Sequence, residues 1–595
     1  MNRALLGAFA LAAAAAFAAP PDLRTGAAFH AFDHLNGFAE QAETAAACGA
    51  TIIYATGLGM DGYTGIPAAE TWEAHRAQCR NYNKKAHVAG IQGILGYLCA
   101  TSIVGLDTFD ANWTDDMRAE FGSAPADWLQ QDAEGKPLPS WYGGDYRPAC
   151  MNHPGWRAYQ RFMVRSQIET GHDGIFFDNP TVHNKGCYCP HCMEKFAAYL
   201  EGKRQPGEDG SLAGLRRAAL AQKEDFLRFR CTTARDFLLE MRMAAQLIHP
   251  DALVTANNSL NQPDALFAQC HLFAYNIFEM SPAEDFVVIE DMGTQPRRLA
   301  DGTTLEGGPT YAQLQAVARG RPVVASTIAE TDYHTPPSLV RLAMTEAAAH
   351  NTGYLLWAAW PEDQRARMAA AVRPCADWLR GHADRLAVSQ PRRDVVLFLP
   401  FQNWVNTKEC RATFLARELR KRNLQFEVAE ERGIGSVLAG ARVLVVEDAE
   451  AVPSRMKDTL RMLAHRGGTL ILGDKSDWAD RVRAALNPPA VVLEAPDTVR
   501  IVLRDTPAET LVFLYNLHIE RLSSFEDRVT PAENLRVTVT VPFNAVGAVT
   551  ASSPDPGAFN GTLPHTAEPT PEGGMRVSFT LPRLDTGALV VVAKG

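Results

Sequence analysis

Three thiols fall within one short segment, Cys187-Tyr188-Cys189-Pro190-His191-Cys192. They stand too close together for a disulfide framework, and the spacing suits a soft metal ion held by thiolates. A closed zinc site takes four soft ligands in a tetrahedron, so the fourth has to come from elsewhere. Cys150 is the best-placed candidate, just ahead of the helical pattern over Gly155–Thr170. Four cysteines leave no open coordination position, which makes the expected zinc structural rather than catalytic. A disulfide plus a spare thiol is the alternative reading, and His191 reads as a solvated side chain rather than a ligand.

The elements that must position such groups are legible as alternating patterns. Short apolar runs at Ala27–Phe32, Ala50–Ala55, Ile91–Tyr97, Gly174–Asp178, Leu253–Asn257, Phe286–Glu290, Pro322–Thr327 and Gly353–Trp357 read as strands. Helical patterns such as Gly155–Thr170, Asp225–Ile248 and Ser338–His350 lie between them. Eight continuous apolar strands alternating with helices predict a (β/α)8 TIM barrel over residues 22–388, with an open doubly wound sheet as the alternative. Residues 391–485 repeat a shorter α/β pattern and predict a small three-layer, flavodoxin-like domain. No glycine-rich phosphate loop follows its first strand, Val395–Leu399, which argues against a nucleotide site. Residues 488–595 alternate short strands with Pro/Gly turns, as in Arg536–Val541 and Arg576–Leu581, and predict a β-sandwich.

Polar residues cluster at the predicted strand ends. His30, Asp33 and His34 follow strand one, Asn179 follows strand four, Asn257 and Asn258 close strand five, and Trp357 and Trp360 close strand eight. Amides and imidazoles suit sugar hydroxyls, and indole faces stack on sugar rings; barrel core is the alternative for Trp357. The long insertion after strand three carries Trp141, Tyr142, Asp145 and Tyr146, residues suited to a substrate pocket.

The chain has 595 residues, a formal net charge of −10 and no long single-sign run. That charge pattern excludes nucleic acid or an anionic membrane as the main partner, since either calls for a concentrated basic face. Residues 1–19 have the layout of a secretory signal peptide: Arg3, an apolar run from Ala4 to Phe17, and small residues at Ala16 and Ala18. Export to the periplasm or medium is therefore expected. No later stretch reaches the roughly 18 apolar residues of a membrane span.

The segment Cys150-Met151-Asn152-His153-Pro154-Gly155-Trp156-Arg157 and the later Cys187-x-Cys189-x2-Cys192 resemble the zinc-binding cysteines of family 42 glycoside hydrolases, the β-galactosidase family. Asp178-Asn179 stands where that family has an Asp-Asn-Glu at the end of strand four. The succession of barrel, α/β middle domain and terminal sandwich is also similar, and the middle domain of the family is its trimerisation domain. The resemblance implies a carbohydrate substrate, zinc on the four cysteines and a homotrimer. The position of the family's acid/base Glu is Pro180 here, and its nucleophile position falls near Ser326–Thr327, so neither carboxylate carries over. With Gly-Ile-Phe-Phe-Asp-Asn-Pro on strand four, the chain more closely resembles glycosidase-like barrels related to that family.

Glycoside hydrolysis needs two carboxyl groups flanking the scissile bond. On a barrel both should project from strand C-termini. Asp178 closes an apolar strand and is the first choice, with a cap on the following segment as its alternative role. Glu290 closes Phe286-Val287-Val288-Ile289 and is the partner chosen here; a surface or salt-bridged Glu is the competing reading. Because successive strand residues point oppositely, only one of Glu290 and Asp291 faces the site. Glu279 is a runner-up if strand six is instead His271–Phe278, and Glu330 is the third option. A nucleophile on strand four with an acid on strand six resembles retaining α-galactosidase-like barrels. The expected function is an exported, retaining glycoside hydrolase. The alternatives are an inactive barrel that binds glycans and a metal-dependent hydrolase built on His30-x3-His34.

Overall fold

The computed structural model describes residues 27–31 and 40–595, except 56–57, 63, 112, 141, 202–209, 259–264, 290–294, 319, 330–331, 333, 358–359, 409, 439 and 453. The signal-peptide segment, Asp33, His34, Trp141, Glu290, Asp291 and Glu330 lie outside the described residues.

Eight parallel strands form the first sheet: β1 (Ala27–Ala31), β2 (Ala50–Ala55), β3 (Gly93–Cys99), β4 (Gly174–Asp178), β5 (Leu253–Ala256), β6 (Val287–Ile289), β7 (Val323–Ala325) and β8 (Thr352–Trp357). Each pairs with its neighbours in chain order except at β5 and β6, and β8 pairs with β1. A parallel bridge between Asn257 and Val288 joins β5 to β6, so the pairings run round a closed ring. All eight expected strands are present, with ends shifted by a residue or two. The stretch His271–Phe278 is mostly helical, which rules it out as strand six.

Alternation sorts the side chains. In β4, Phe176 packs inside the ring with Tyr54, Tyr97, Phe286 and Trp357. Its neighbours Ile175 and Phe177 face the outer helices, Phe177 meeting Phe237 at 5.5 Å. Gly174 opens this strand because a Cβ there would sit 2.1 Å from the carbonyl oxygen of Leu253 on β5.

The β5–β6 seam is closed partly by side chains. The backbone N–H of Val254 donates to Asp285 Oδ2 (2.8 Å) and that of Ala256 to Glu284 Oε2 (3.1 Å). Two backbone bonds complete the seam, from the Asp285 N–H to the Val254 carbonyl (2.8 Å) and from the Asn258 N–H to the Val288 carbonyl (2.9 Å). Glu284 is fully buried, and burial pushes its carboxyl up to about 8 against the opposing bonds from Asn258, Ala256 and Thr255. Because the folded-state value is raised, the native protein holds a proton that the unfolded chain has released. Stability is therefore present at low pH and is lost as pH rises from about 4.5 through about 8. Urea unfolding at pH 6 and pH 9 should show a loss of order 1 kcal/mol per pH unit over this window. Glu284→Gln, which cannot ionise, should lessen that slope and leave the share of Glu346, which burial also pushes up to about 8; an equal slope in both proteins would remove Glu284 from the account.

Beyond the ring, β9 (Val395–Leu399), β10 (Phe426–Glu430), β11 (Val443–Val446) and β12 (Thr469–Leu472) form a parallel sheet in the order β10-β9-β11-β12. β10 was not anticipated, because Glu427 and Glu430 interrupt its apolar pattern. The C-terminal residues form a six-stranded and a four-stranded antiparallel sheet, which include β13 (Val499–Asp505), β14 (Glu509–Asn516), β15 (Ala532–Val541), β16 (Met575–Leu584) and β17 (Gly587–Lys594). Val512, Leu535, Val577 and Val590 share the apolar core between those sheets. Among the described residues no helix is long and apolar enough to cross a membrane.

A hairpin of the C-terminal part, Ile519–Arg521 paired with Asp527–Val529, reaches the strand-end face of the ring. Asp332, in the segment after β7, accepts from Ser524 Oγ (2.7 Å), from the His334 N–H (2.9 Å) and from Arg521. Asp527 Oδ2 accepts from the N–H groups of Ser338 (2.8 Å) and Leu339 (3.3 Å), capping the outer helix Pro337–Ala349. This is the helix-cap bond supplied from a distant part of the chain.

Candidate active site

Asp178 is the last residue of β4 and lies at the centre of a small polar group at the strand ends. Tyr97, on the adjacent β3, donates its hydroxyl to Asp178 Oδ2 at 2.6 Å. Asn257, just past β5, donates its amide to Oδ1 at 3.0 Å. Asn179 takes the left-handed backbone conformation (φ 50°), one that Asn tolerates better than most side chains. That turn brings Asn179 back onto its neighbour: its N–H reaches Oδ1 and its Nδ2 reaches Oδ2, both at 2.9 Å. Four donors from three strand ends thus converge on one carboxyl. An ionised carboxylate offers only acceptors, which is what this group of donors satisfies.

The loop after β3 reaches the same point. Tyr142 donates its hydroxyl to Asn179 Oδ1 at 2.7 Å and leaves half of its surface exposed. Its ring lies 5.5 Å from that of Tyr146, also partly exposed. The pair offers aromatic faces beside the Asp178 carboxylate.

The structure joins Asn179, Asn257 and, through Tyr142, Tyr146 to Asp178. It does not join Asn258, which was expected to bind substrate. Asn258 is fully buried, and its amide donates to Glu284 Oε2 (3.0 Å) and the Ala256 carbonyl (2.9 Å). The reason is alternation: with Asn257 turned into the ring, the next residue turns out of it. Trp357 packs within the interior aromatic cluster, 6% exposed, so its place is largely core. His30 lies on β1 in register with Tyr54 and Trp357, and its side chain is outside the described part. Glu279 forms an ion pair with Arg235 at 2.8 Å, away from Asp178. Sequence reasoning missed Tyr97; its only signal was a hydroxyl-bearing ring on the inward-facing side of β3.

The four cysteines come together as expected. Cys150, Cys187, Cys189 and Cys192 are buried, and their sulfurs all lie within 4.8 Å of one another. Cys150 stands 3.6 Å from Cys189 and 3.4 Å from Cys192. Four sulfurs around one zinc at about 2.3 Å would stand about 3.8 Å apart, so the cluster fits a tetrahedral ion. N–H groups of Gln131 and Asn152 point at Cys187 and Cys150, both at 3.4 Å, as suits thiolate acceptors. The neighbouring sulfurs, then burial, hold the Cys150 thiol well above its ordinary value, so four thiolates here need a cation among them. Among the described residues every cysteine is free of disulfides.

The cluster sits behind Asp178. Gln130, one segment ahead of Cys150, donates to the Thr181 carbonyl (3.2 Å) and accepts from the His183 N–H (2.9 Å). Thr101 donates its hydroxyl to the Asn179 carbonyl at 2.6 Å. The loop after β4, from Asn179 to Cys192, is thereby stitched to the loop after β3.

No protein-family model and no curated protein matches the chain. Solved structures do. α-L-Fucosidase isoenzyme 2 from Paenibacillus thiaminolyticus aligns with a TM-score of 0.63 at 12% identity, covering 96% of this chain and 99% of that one. A GH42 β-galactosidase from G. stearothermophilus aligns at 0.58 and 10% identity, with 96% and 98% covered. The β-galactosidase from Bacillus circulans sp. alkalophilus aligns at 0.55 and 14% identity, with 93% and 98% covered. The likeness to family 42 read from the cysteine motifs thus holds for the fold of nearly the whole chain.

Proposed function

We propose that this protein is an exported glycoside hydrolase that acts on oligo- or polysaccharides with retention of anomeric configuration. The observation that carries the reading is the carboxyl of Asp178, fixed by four donors at the strand ends of a closed parallel ring. In this reading residues 22–388 are a (β/α)8 catalytic barrel, 391–485 a trimerisation-like domain and 488–595 a β-sandwich. Residues 1–19 are a cleaved signal peptide, and the molecule is a homotrimer.

Asp178 acts as nucleophile. One of its oxygens attacks the anomeric carbon as the bond to the leaving oxygen breaks, and an acid delivers a proton to that oxygen. Water then hydrolyses the glycosyl ester, with the former acid taking the water's proton. We assign the acid to Glu290. What supports this is its place in the sequence, directly after Ile289, the last residue of β6. Tyr97 and Asn257 hold the nucleophile in place. Asn179, Tyr142 and Tyr146 form the wall against which a sugar ring is seated, with His30, Asp33 and Trp141 as further substrate contacts.

The four cysteines hold zinc with no open position, so the ion would supply rigidity rather than chemistry. The likeness in fold to a fucosidase and two β-galactosidases supports a sugar substrate without selecting the sugar.

A panel of α- and β-linked aryl glycosides tests the reading. Release of the aryl alcohol from at least one member, with the same anomer formed first in the product, is the expected result. A panel with no turnover, together with oligosaccharides that raise the melting temperature, would instead favour a glycan-binding protein, the reading supported by Pro180 and Ser326–Thr327 at the family's catalytic positions.

A further inference from the structure

Two arginines on the wall of one cleft form no ion pair among the described residues. The cleft lies where the outer helix Gly308–Ala318 and the turn at His350–Asn351 meet β10 and β13, and it encloses about 490 Å3. That is the scale of a small-molecule site. Arg420 and Arg504 line it and are 1% and 4% exposed. Their hydrogen bonds all go to neutral acceptors. Arg420 donates to the Ile501 carbonyl (3.3 Å), and Arg504 donates to the hydroxyl (2.7 Å) and carbonyl (3.0 Å) of Ser389. Arg420 Nε has no partner, and neither does Nε2 of the buried His350 on the same wall.

Other buried arginines go both ways: Arg500 meets both oxygens of Glu306, at 3.1 and 3.2 Å, whereas Arg230 donates to the carbonyls of Val182 (3.1 Å) and His183 (2.7 Å). On the cleft itself Arg392 is bound by Asp505. The acids nearby are shared: Glu427 lies 3.1 Å from Arg393 and acts on Arg504 through charge alone, and Glu430 accepts from the Arg432 N–H at 2.8 Å. A buried cation without a directly bonded counter-charge is costly, and an anion with several acceptor oxygens lowers that cost.

We propose that this cleft is a binding site for a small molecule carrying an oxyanion (phosphate, sulfate or carboxylate), whose charge is held between Arg420 and Arg504. Burial draws the Arg504 guanidinium down to about 10 even against the opposing charges of Glu427 and Asp505. The site is separate from Asp178 and stands whether or not the protein cleaves glycosides.

Thermal melts of the full chain test it, with inorganic phosphate and glucuronate as probes against sodium chloride at equal ionic strength. A saturable rise of about 2 °C or more at low millimolar phosphate, glucuronate or both is the expected result. Arg504→Met should remove the rise, while Arg461→Met, at an exposed arginine, should keep it. If Arg504→Met fails to fold, Arg504→Lys takes its place, with a half-saturating concentration raised about tenfold. No saturable response to either anion beyond chloride overturns the proposal. So does a response that the Arg504 variants leave unchanged.

Discussion

Asp178→Asn is expected to lower glycoside turnover about a thousandfold or more, some 4 kcal/mol of barrier, while the protein stays folded. An amide cannot form the glycosyl ester, so the chemical step is lost at its first bond. The cost to stability is smaller. One carboxylate oxygen becomes an NH2 group that must face Tyr97 or Asn257, both donors in the native arrangement. A mismatch of that kind costs about 1–3 kcal/mol. The two effects separate the roles available to Asp178. A structural cap would show the loss of stability with turnover intact, and that outcome would remove Asp178 from the chemistry. For Asp178→Gly, added azide should restore partial turnover and yield a glycosyl azide, because a small nucleophile fits where the carboxylate stood. Absence of that product in an otherwise folded variant would point to a different nucleophile.

Loss of the metal is expected to have the second largest effect. Protein purified without added metal should carry about one zinc per chain by elemental analysis. Cys150→Ser should lose the zinc and at least about 3 kcal/mol of stability, since binding energy in a closed thiolate site is folding energy. Turnover should fall as well, although the four cysteines stand outside the group of donors around Asp178. The route is the loop after β4, which Gln130 fastens through Thr181 and His183. Hydrogen exchange should then rise in residues 129–150 and 179–192 together. Less than about half an equivalent of zinc, with disulfides among the four cysteines, would show that oxidised sulfur rather than metal closes the cluster.

What the sequence made readable was whatever burial on both faces imprints on a chain. The eight ring strands could be placed because each is a continuous apolar run. β10 escaped notice because two glutamates break its run. Asp178, Asn179 and Asn257 could be named because polar residues that close an apolar strand have few places to go except the mouth of the ring. Asn258 was misread because adjacency in sequence was taken for adjacency in space, whereas a strand turns neighbours to opposite sides. Tyr97 was missed because a tyrosine inside a strand reads as packing, and only the position of its hydroxyl in three dimensions makes it a donor to Asp178. Glu284 left no trace at all: a glutamate ahead of a strand is ordinary in sequence, and its role depends on a gap between β5 and β6 that only the closed ring creates. The four cysteines were the most legible feature, since thiols so close together have little other use.

The hairpin that carries Arg521, Ser524 and Asp527 has a bearing on how such a protein changes over generations. Asp332 and the first turn of a ring helix draw their partners from a segment nearly two hundred residues downstream. A terminal module inherited from elsewhere would arrive without those side chains and leave the ring's rim untied. The ring and the terminal module should therefore drift in concert, and recombination at their border should be purged more often than at a simple linker.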